Sequence, residues 1–77
     1  MKKISLIKLK VKRKAKIAEI LGGAALQNRM MSLGIYPGRE ITKQGHFVLR
    51  GPVMIKVGRA VIALGHNMAA KIILEVE

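Results

Sequence analysis

The run Ile7-Lys8-Leu9-Lys10-Val11-Lys12 alternates between apolar and basic residues. A period of two predicts a half-buried strand with a lysine face. Arg13-Lys14 interrupts it, and residues 15–20 give a second extended run anchored by Ile17 and Ile20. Gly22-Gly23 ends that run, and the period then changes. Leu26, Met30 and Leu33 fall at i, i+4 and i+7 and so line one face of a helix over residues 24–33. The helix opens on Ala24-Ala25-Leu26-Gln27, all good helix formers. No Ser, Thr, Asp or Asn precedes it, so a glycine fills the N-cap position less effectively.

The next residues are punctuation. Gly34 stands where a helix end commonly requires positive φ, which a residue without Cβ adopts freely. Pro37-Gly38 suits the central positions of a type II turn, Pro fixing the first φ and Gly supplying the second. Residues 40–44 leave as a strand that Gly45 breaks, and Gly51-Pro52 marks another turn. Val53, Ile55 and Val57 share one face of the following strand, and Gly58-Arg59 closes a hairpin with glycine first. Residues 60–64 return as a strand whose aliphatic composition predicts burial on both faces. A helical turn over 65–70 and a closing strand over 71–76 complete the chain. About five short strands with one inserted helix predict a mainly β fold, a small barrel, because closing a short sheet removes its exposed edges.

Length and charge narrow the picture. Seventy-seven residues make one domain over 1–77, with residues 1–14 as a basic N-terminal segment. No cysteine staples it, so aliphatic packing must hold the fold together; 51% of the residues are hydrophobic and the mean hydropathy is +0.28. That apolar excess leaves surface for a partner or a second copy of the chain. Fifteen Lys and Arg face four Glu, a net charge of +11, with eight of the cations in the first sixteen positions. Such a field attracts nucleic acid, an anionic lipid surface or an acidic protein. The longest apolar stretch, residues 60–64, is far short of the ~20 needed to cross a bilayer. Lysines interrupt the N-terminal apolar run, so no signal peptide is read there, and the expected compartment is the cytoplasm.

Candidate chemistry is sparse. There is no Cys or Asp, and the only serines are Ser5 and Ser32, so a nucleophile with its base and orienting group is missing. His46 and His66, read as loop residues, and four glutamates in a positive field are poor material for a metal centre, and no cofactor is expected. Lys8, Lys10, Lys12, Arg13 and Lys14 form a strip for contacting an anionic surface, which lipid or nonspecific nucleic acid can supply. Tyr36 and Phe47 are the only aromatics, too few to stack bases. Met31 lies off the helix stripe, and with Arg29, Tyr36 and Arg39 it makes the candidate protein-binding set; a Met adapts to irregular partner surfaces.

Four ordered clusters carry a resemblance. Gly22-Gly23 with Leu26 precedes the helix. Arg29-Met30, Leu33-Gly34-Ile35 and Pro37-Gly38 follow as a central signature. Gly51-Pro52 leads into the alternating strand, and Gly58 to Gly65, then Ala69 or Ala70, Ile72 and Glu75-Val76-Glu77, close the chain. Together these resemble the FeoA family, ferrous iron transport protein A, over residues 15–77. The resemblance implies an SH3-like barrel acting as a cytoplasmic accessory of the membrane ferrous-iron transporter FeoB, and the N-terminal lysine face would hold such a domain at the inner face of the membrane. It also extends to the C-terminal domain of iron- and manganese-dependent repressors. The family has a glycine turn shortly before the first matched strand, and this chain has Lys12-Arg13-Lys14 there. The runner-up is a basic barrel that binds nucleic acid through phosphate contacts.

Overall fold

The computed structural model describes residues 2–47 and 50–77. Six strands run β1 (Lys2–Ser5), β2 (Lys14–Ile20), β3 (Glu40–His46), β4 (Val53–Val57), β5 (Ala60–Leu64) and β6 (Ile72–Val76). Two helices, α1 (Ala24–Ser32) and α2 (His66–Ala70), lie between β2 and β3 and between β5 and β6. Every pairing is antiparallel, in the order β1-β6-β2-β3-β4-β5. The sheet is therefore curved but not closed: β1 and β5 are its two edges. Register shifts between Ile17 and Glu19 in β2, and between Lys43 and Gly45 in β3, each leave an unpaired residue. Such bulges bend a strand and raise its local twist, which wraps the sheet around its core.

Alternation along β2, β4 and β6 puts Ala15, Ile17 and Ile20, then Val53, Ile55 and Val57, then Ile72 and Leu74 on the inner face. Leu6, Leu9, Met30, Ile35, Ile41, Leu64 and Ala69 complete one contiguous core. The α1 stop matches its sequence. Gly34 has φ +84°, its N–H donates to the Met31 carbonyl at 2.9 Å and the Ile35 N–H to the Met30 carbonyl at 2.9 Å. This is the Schellman pair of bonds, with buried Met30 and Ile35 making the accompanying apolar contact. Gly38 has φ +94°, and the Arg39 N–H returns to the Tyr36 carbonyl at 3.1 Å, closing the turn around Pro37-Gly38. Gly23 is the N-cap of α1, with no side-chain cap bond. Gln27 supplies part of what is missing: its amide donates to the carbonyls of Ile20 and Gly22, tying α1 back to the end of β2.

Four expectations are corrected. The strand expected over residues 7–12 is absent; β1 lies earlier, and Leu6–Lys8 is a 3-10 turn in which Ser5 Oγ accepts the Ile7 N–H at 3.2 Å. The spacing i, i+3 of a 3-10 turn suits Leu6 and Leu9, both buried, while Val11 is left exposed. Gly45 does not end β3: it pairs with Met54 just after the bulge at Gln44, and the strand runs on to His46. β5 is an edge strand with Val61 58% exposed, so its aliphatic composition does not reflect burial on both faces. Leu33, expected on the buried stripe of α1, is the C-cap and is exposed, because the chain has begun to turn by that residue.

Candidate functional site

Lys43 is the one buried charged side chain among the described residues, 2% exposed. Its position follows from alternation: Ile41 faces inward, and two residues on Lys43 does too, opposite Ile55 of β4. The ammonium donates to the carbonyls of Leu6 at 3.2 Å, Ile7 at 3.0 Å and Leu9 at 2.7 Å, and lies 3.1 Å from His46 Nδ1. The Lys43 backbone holds the same stretch, accepting the Lys12 N–H at 2.7 Å and donating to the Arg13 carbonyl at 3.0 Å. One residue of β3 thus fastens the chain between β1 and β2. Burial pushes the Lys43 pKa below the usual lysine range. For a charged Lys43, His46 Nδ1 is the acceptor, which places the imidazole proton on Nε2.

His46 and His66, far apart in sequence, meet here with ring centroids 6.2 Å apart. Neither is a loop residue: His46 ends β3 and His66 begins α2. Burial lowers the His46 pKa, and the charges of Lys43 and His66 lower it further. His66 Nδ1 is buried without a hydrogen-bond partner. Among the described residues no group of three or more His, Cys, Asp or Glu converges as metal ligands would.

The basic segment folds over one end of the sheet. A groove of about 620 Å³ opens there, lined by Lys8, Lys10, Arg13 and Lys14 from the predicted strip, with Ile4, Leu9, Ala15 and Val76 as its apolar wall. Lys12 does not line it. It makes the turn before β2 with φ +76°, the left-handed conformation that a glycine would adopt without strain. The turn is thus present where the resemblance leads one to expect glycine. Lys14 is also 3.8 Å from Glu40, an exposed pair that contributes little to stability.

The other predicted set is split. Arg39 stacks over the Tyr36 ring at 5.6 Å, and its guanidinium donates to the Tyr36 hydroxyl at 3.0 Å. Arg39 also lines a smaller pocket of about 410 Å³ with Lys14, Thr42 and Lys56. Arg29 and Met31 stand exposed on α1, Met31 at 61%; no side-chain hydrogen bond or ion pair among the described residues joins them to Tyr36 and Arg39. The sequence offered one signal for the Lys43 centre, a lysine at an inward-facing position of a strand. Nothing in the sequence joined it to the two histidines.

A curved six-stranded antiparallel sheet with this order and a helix after β2 defines a small SH3-like module. Comparison with known proteins narrows this further. The FeoA domain family matches residues 4–76, and the chain belongs to that family, which is associated with ferrous iron transport. It is similar to the crystal structure of an iron uptake regulatory protein, FeoA, with 25% identity and a TM-score of 0.86 over 97% of each chain. Iron(II) transport protein A from Clostridium thermocellum is 27% identical with a TM-score of 0.86, covering 95% of this chain and 45% of that one. A manganese-dependent transcriptional repressor, 16% identical, shares the fold alone, with a TM-score of 0.84 over 94% of this chain and 40% of its own. Among curated proteins, none matches the chain.

Proposed function

We propose that this protein is a non-catalytic cytoplasmic accessory of ferrous iron transport that docks on the cytoplasmic part of the transporter FeoB. The family match over residues 4–76 carries the reading. The surface chemistry supports it: a +11 chain offers cationic and apolar groups together, which suits a protein partner with acidic contacts. No helix among the described residues is long and apolar enough to cross a membrane, so in this reading the transporter supplies the membrane part.

Two surfaces are assigned to binding. The first comprises Arg29 and Met31 on α1 and, separately, the Tyr36–Arg39 pair beyond the α1 stop. Lys8, Lys10, Lys12, Arg13 and Lys14 form the second, which holds the domain close to anionic groups on the partner or on the inner face of the membrane. The nucleic-acid alternative has less support: Tyr36 is covered by Arg39, and no aromatic lines the basic groove.

A pull-down with the soluble GTP-binding region of FeoB, run beside a salt titration with DNA and RNA, tests the reading. Capture at low micromolar protein, with nucleic-acid binding that fades as salt approaches physiological strength, is expected. No capture alongside tight nucleic-acid binding at physiological salt would overturn it.

A further inference from the structure

We infer that the groove between the basic segment and the open end of the sheet is a binding site for an extended acidic peptide segment carrying apolar residues. The inference rests on the docking reading only for whose segment this is; the chemistry of the groove stands by itself. The site lies where the basic segment crosses the paired strands β1, β6 and β2. β1 pairs with β6 alone, and the chain leaving β1 arches over to β2, held in place by the Lys43 ammonium on the carbonyls of Leu6, Ile7 and Leu9. Between arch and sheet lies the cavity of about 620 Å³, within the size range of ligand sites.

Its lining selects among anionic partners. Lys2, Lys8, Lys10, Arg13, Lys14 and Lys16 supply six cations. Behind them Ile4 and Val76, half-buried, present an apolar surface backed by buried Leu9 and Ala15, so a ligand that brings only charge leaves part of the groove unused. Glu40, Glu75 and Glu77 stand among the cations. A nucleic-acid backbone with a phosphate at every step would meet those carboxylates as repulsion. A lipid surface presents headgroups to a flat or convex face, and the apolar wall here lies inside a concavity. An extended peptide meets all three demands, because its side chains alternate: carboxylates reach the cations, apolar residues reach the wall, and polar ones pass the glutamates.

Fluorescence anisotropy tests this with a labelled decapeptide of glutamate and serine carrying two central leucines, and a control with the leucines replaced by serine. At ~150 mM salt, where exposed charges are screened beyond about 8 Å, the leucine peptide should bind about tenfold more tightly than the control. The double substitution Lys8→Glu with Arg13→Glu changes two exposed side chains and should abolish binding, while Lys71→Glu, outside the groove, should not. Amide chemical shifts of Ile4, Leu9, Ala15 and Val76 should move with the leucine peptide more than with the control. Equal affinity for the two peptides, or shifts confined to other residues, would overturn the inference. So would displacement of the peptide by single-stranded DNA, or by vesicles containing phosphatidylglycerol, at lower concentration than unlabelled peptide requires. The transporter is absent from the experiment, so its outcome is separate from that of the pull-down.

Discussion

Residues 22–39, which contain α1, and residues 2–13, which contain β1 and a 3-10 turn, both lead into a strand of the sheet, and they are held by different means. The first is closed mainly by local bonds. Its helix stop and its turn are made by Met30, Met31, Gly34, Ile35, Tyr36 and Arg39, each bonded to a partner a few residues away, and the finished turn then docks on β2, where Gly38 N–H donates to the Ile17 carbonyl and Ile17 N–H to the Arg39 carbonyl, each at 2.8 Å. The second begins with β1 paired to β6, and Ser5 Oγ donates to the Ala70 carbonyl at 3.1 Å; beyond β1 it has little of its own besides the Ser5 cap and the Leu6 to Leu9 turn. There its anchor is Lys43, more than thirty residues away. Local chemistry makes a segment readable and robust; a long-range anchor makes one that a single substitution can release. The released segment is also the one that carries the basic rim of the groove.

The sharpest way to break this contrast is Lys43→Met. The substitution removes the donor from the carbonyls of Ile7 and Leu9, while Leu6 keeps the Leu9 N–H, and a buried polar group left unpaired costs about 1–3 kcal/mol. Some of that is offset because the buried charge is removed as well, so a loss of about 2–4 kcal/mol is expected by chemical denaturation. Hydrogen exchange should show the amides of residues 9–13 opening before those of 33–39, and simultaneous opening would mean that the two regions are not held separately.

Gly34→Val attacks the locally held region. An added Cβ meets only Val57 at 3.6 Å, an ordinary contact, so the cost comes from backbone strain at φ +84°. A β-branched residue there should lose more than ~1 kcal/mol, seen as a lower Tm. An unchanged Tm would contradict the Schellman stop.

Acidification returns to the anchor of residues 2–13. The folded His46 pKa lies below the ordinary value of 6.5, so over the window between the two the unfolded chain binds more protons. Stability from this group is present above the unfolded pKa and is lost as pH falls through it toward the folded value. Denaturation midpoints should therefore fall on acidification below about 6.5, and fall less in His46→Gln. Equal pH dependence in the two proteins would remove His46 from the account.

Lys12→Gly has the smallest expected effect. It relieves strain at φ +76°, against the greater unfolded-state freedom of glycine, so the net gain is within about 1 kcal/mol. A clear destabilisation would show that the Lys12 side chain contributes contacts of its own.

The same contrast explains what could be read from the sequence. The α1 stop, the Pro37-Gly38 turn and the Gly58-Arg59 hairpin depend on the residues that form them, and each lies where local rules place it. The alternation of residues 7–12 obeys a strand rule equally well, but those residues pack through Leu6 and Leu9 under a lysine no local rule connects to them. β5 illustrates a second limit, since its exposure comes from its place at the sheet edge, a property of strand order. For the candidate site, charge clustering pointed to Lys8, Lys10, Lys12, Arg13 and Lys14, of which all but Lys12 line one groove. The apolar wall behind them is assembled from β1, β2, β6 and the connecting chain, so no window of sequence displays it.

The most direct test of the central claim, docking on FeoB, is an NMR titration of the labelled protein with the transporter's soluble GTP-binding region at physiological salt. The account predicts saturable shifts in the groove and its basic rim, with or without a second set around Arg29 and Arg39. A spectrum unchanged at several times the protein concentration would contradict it.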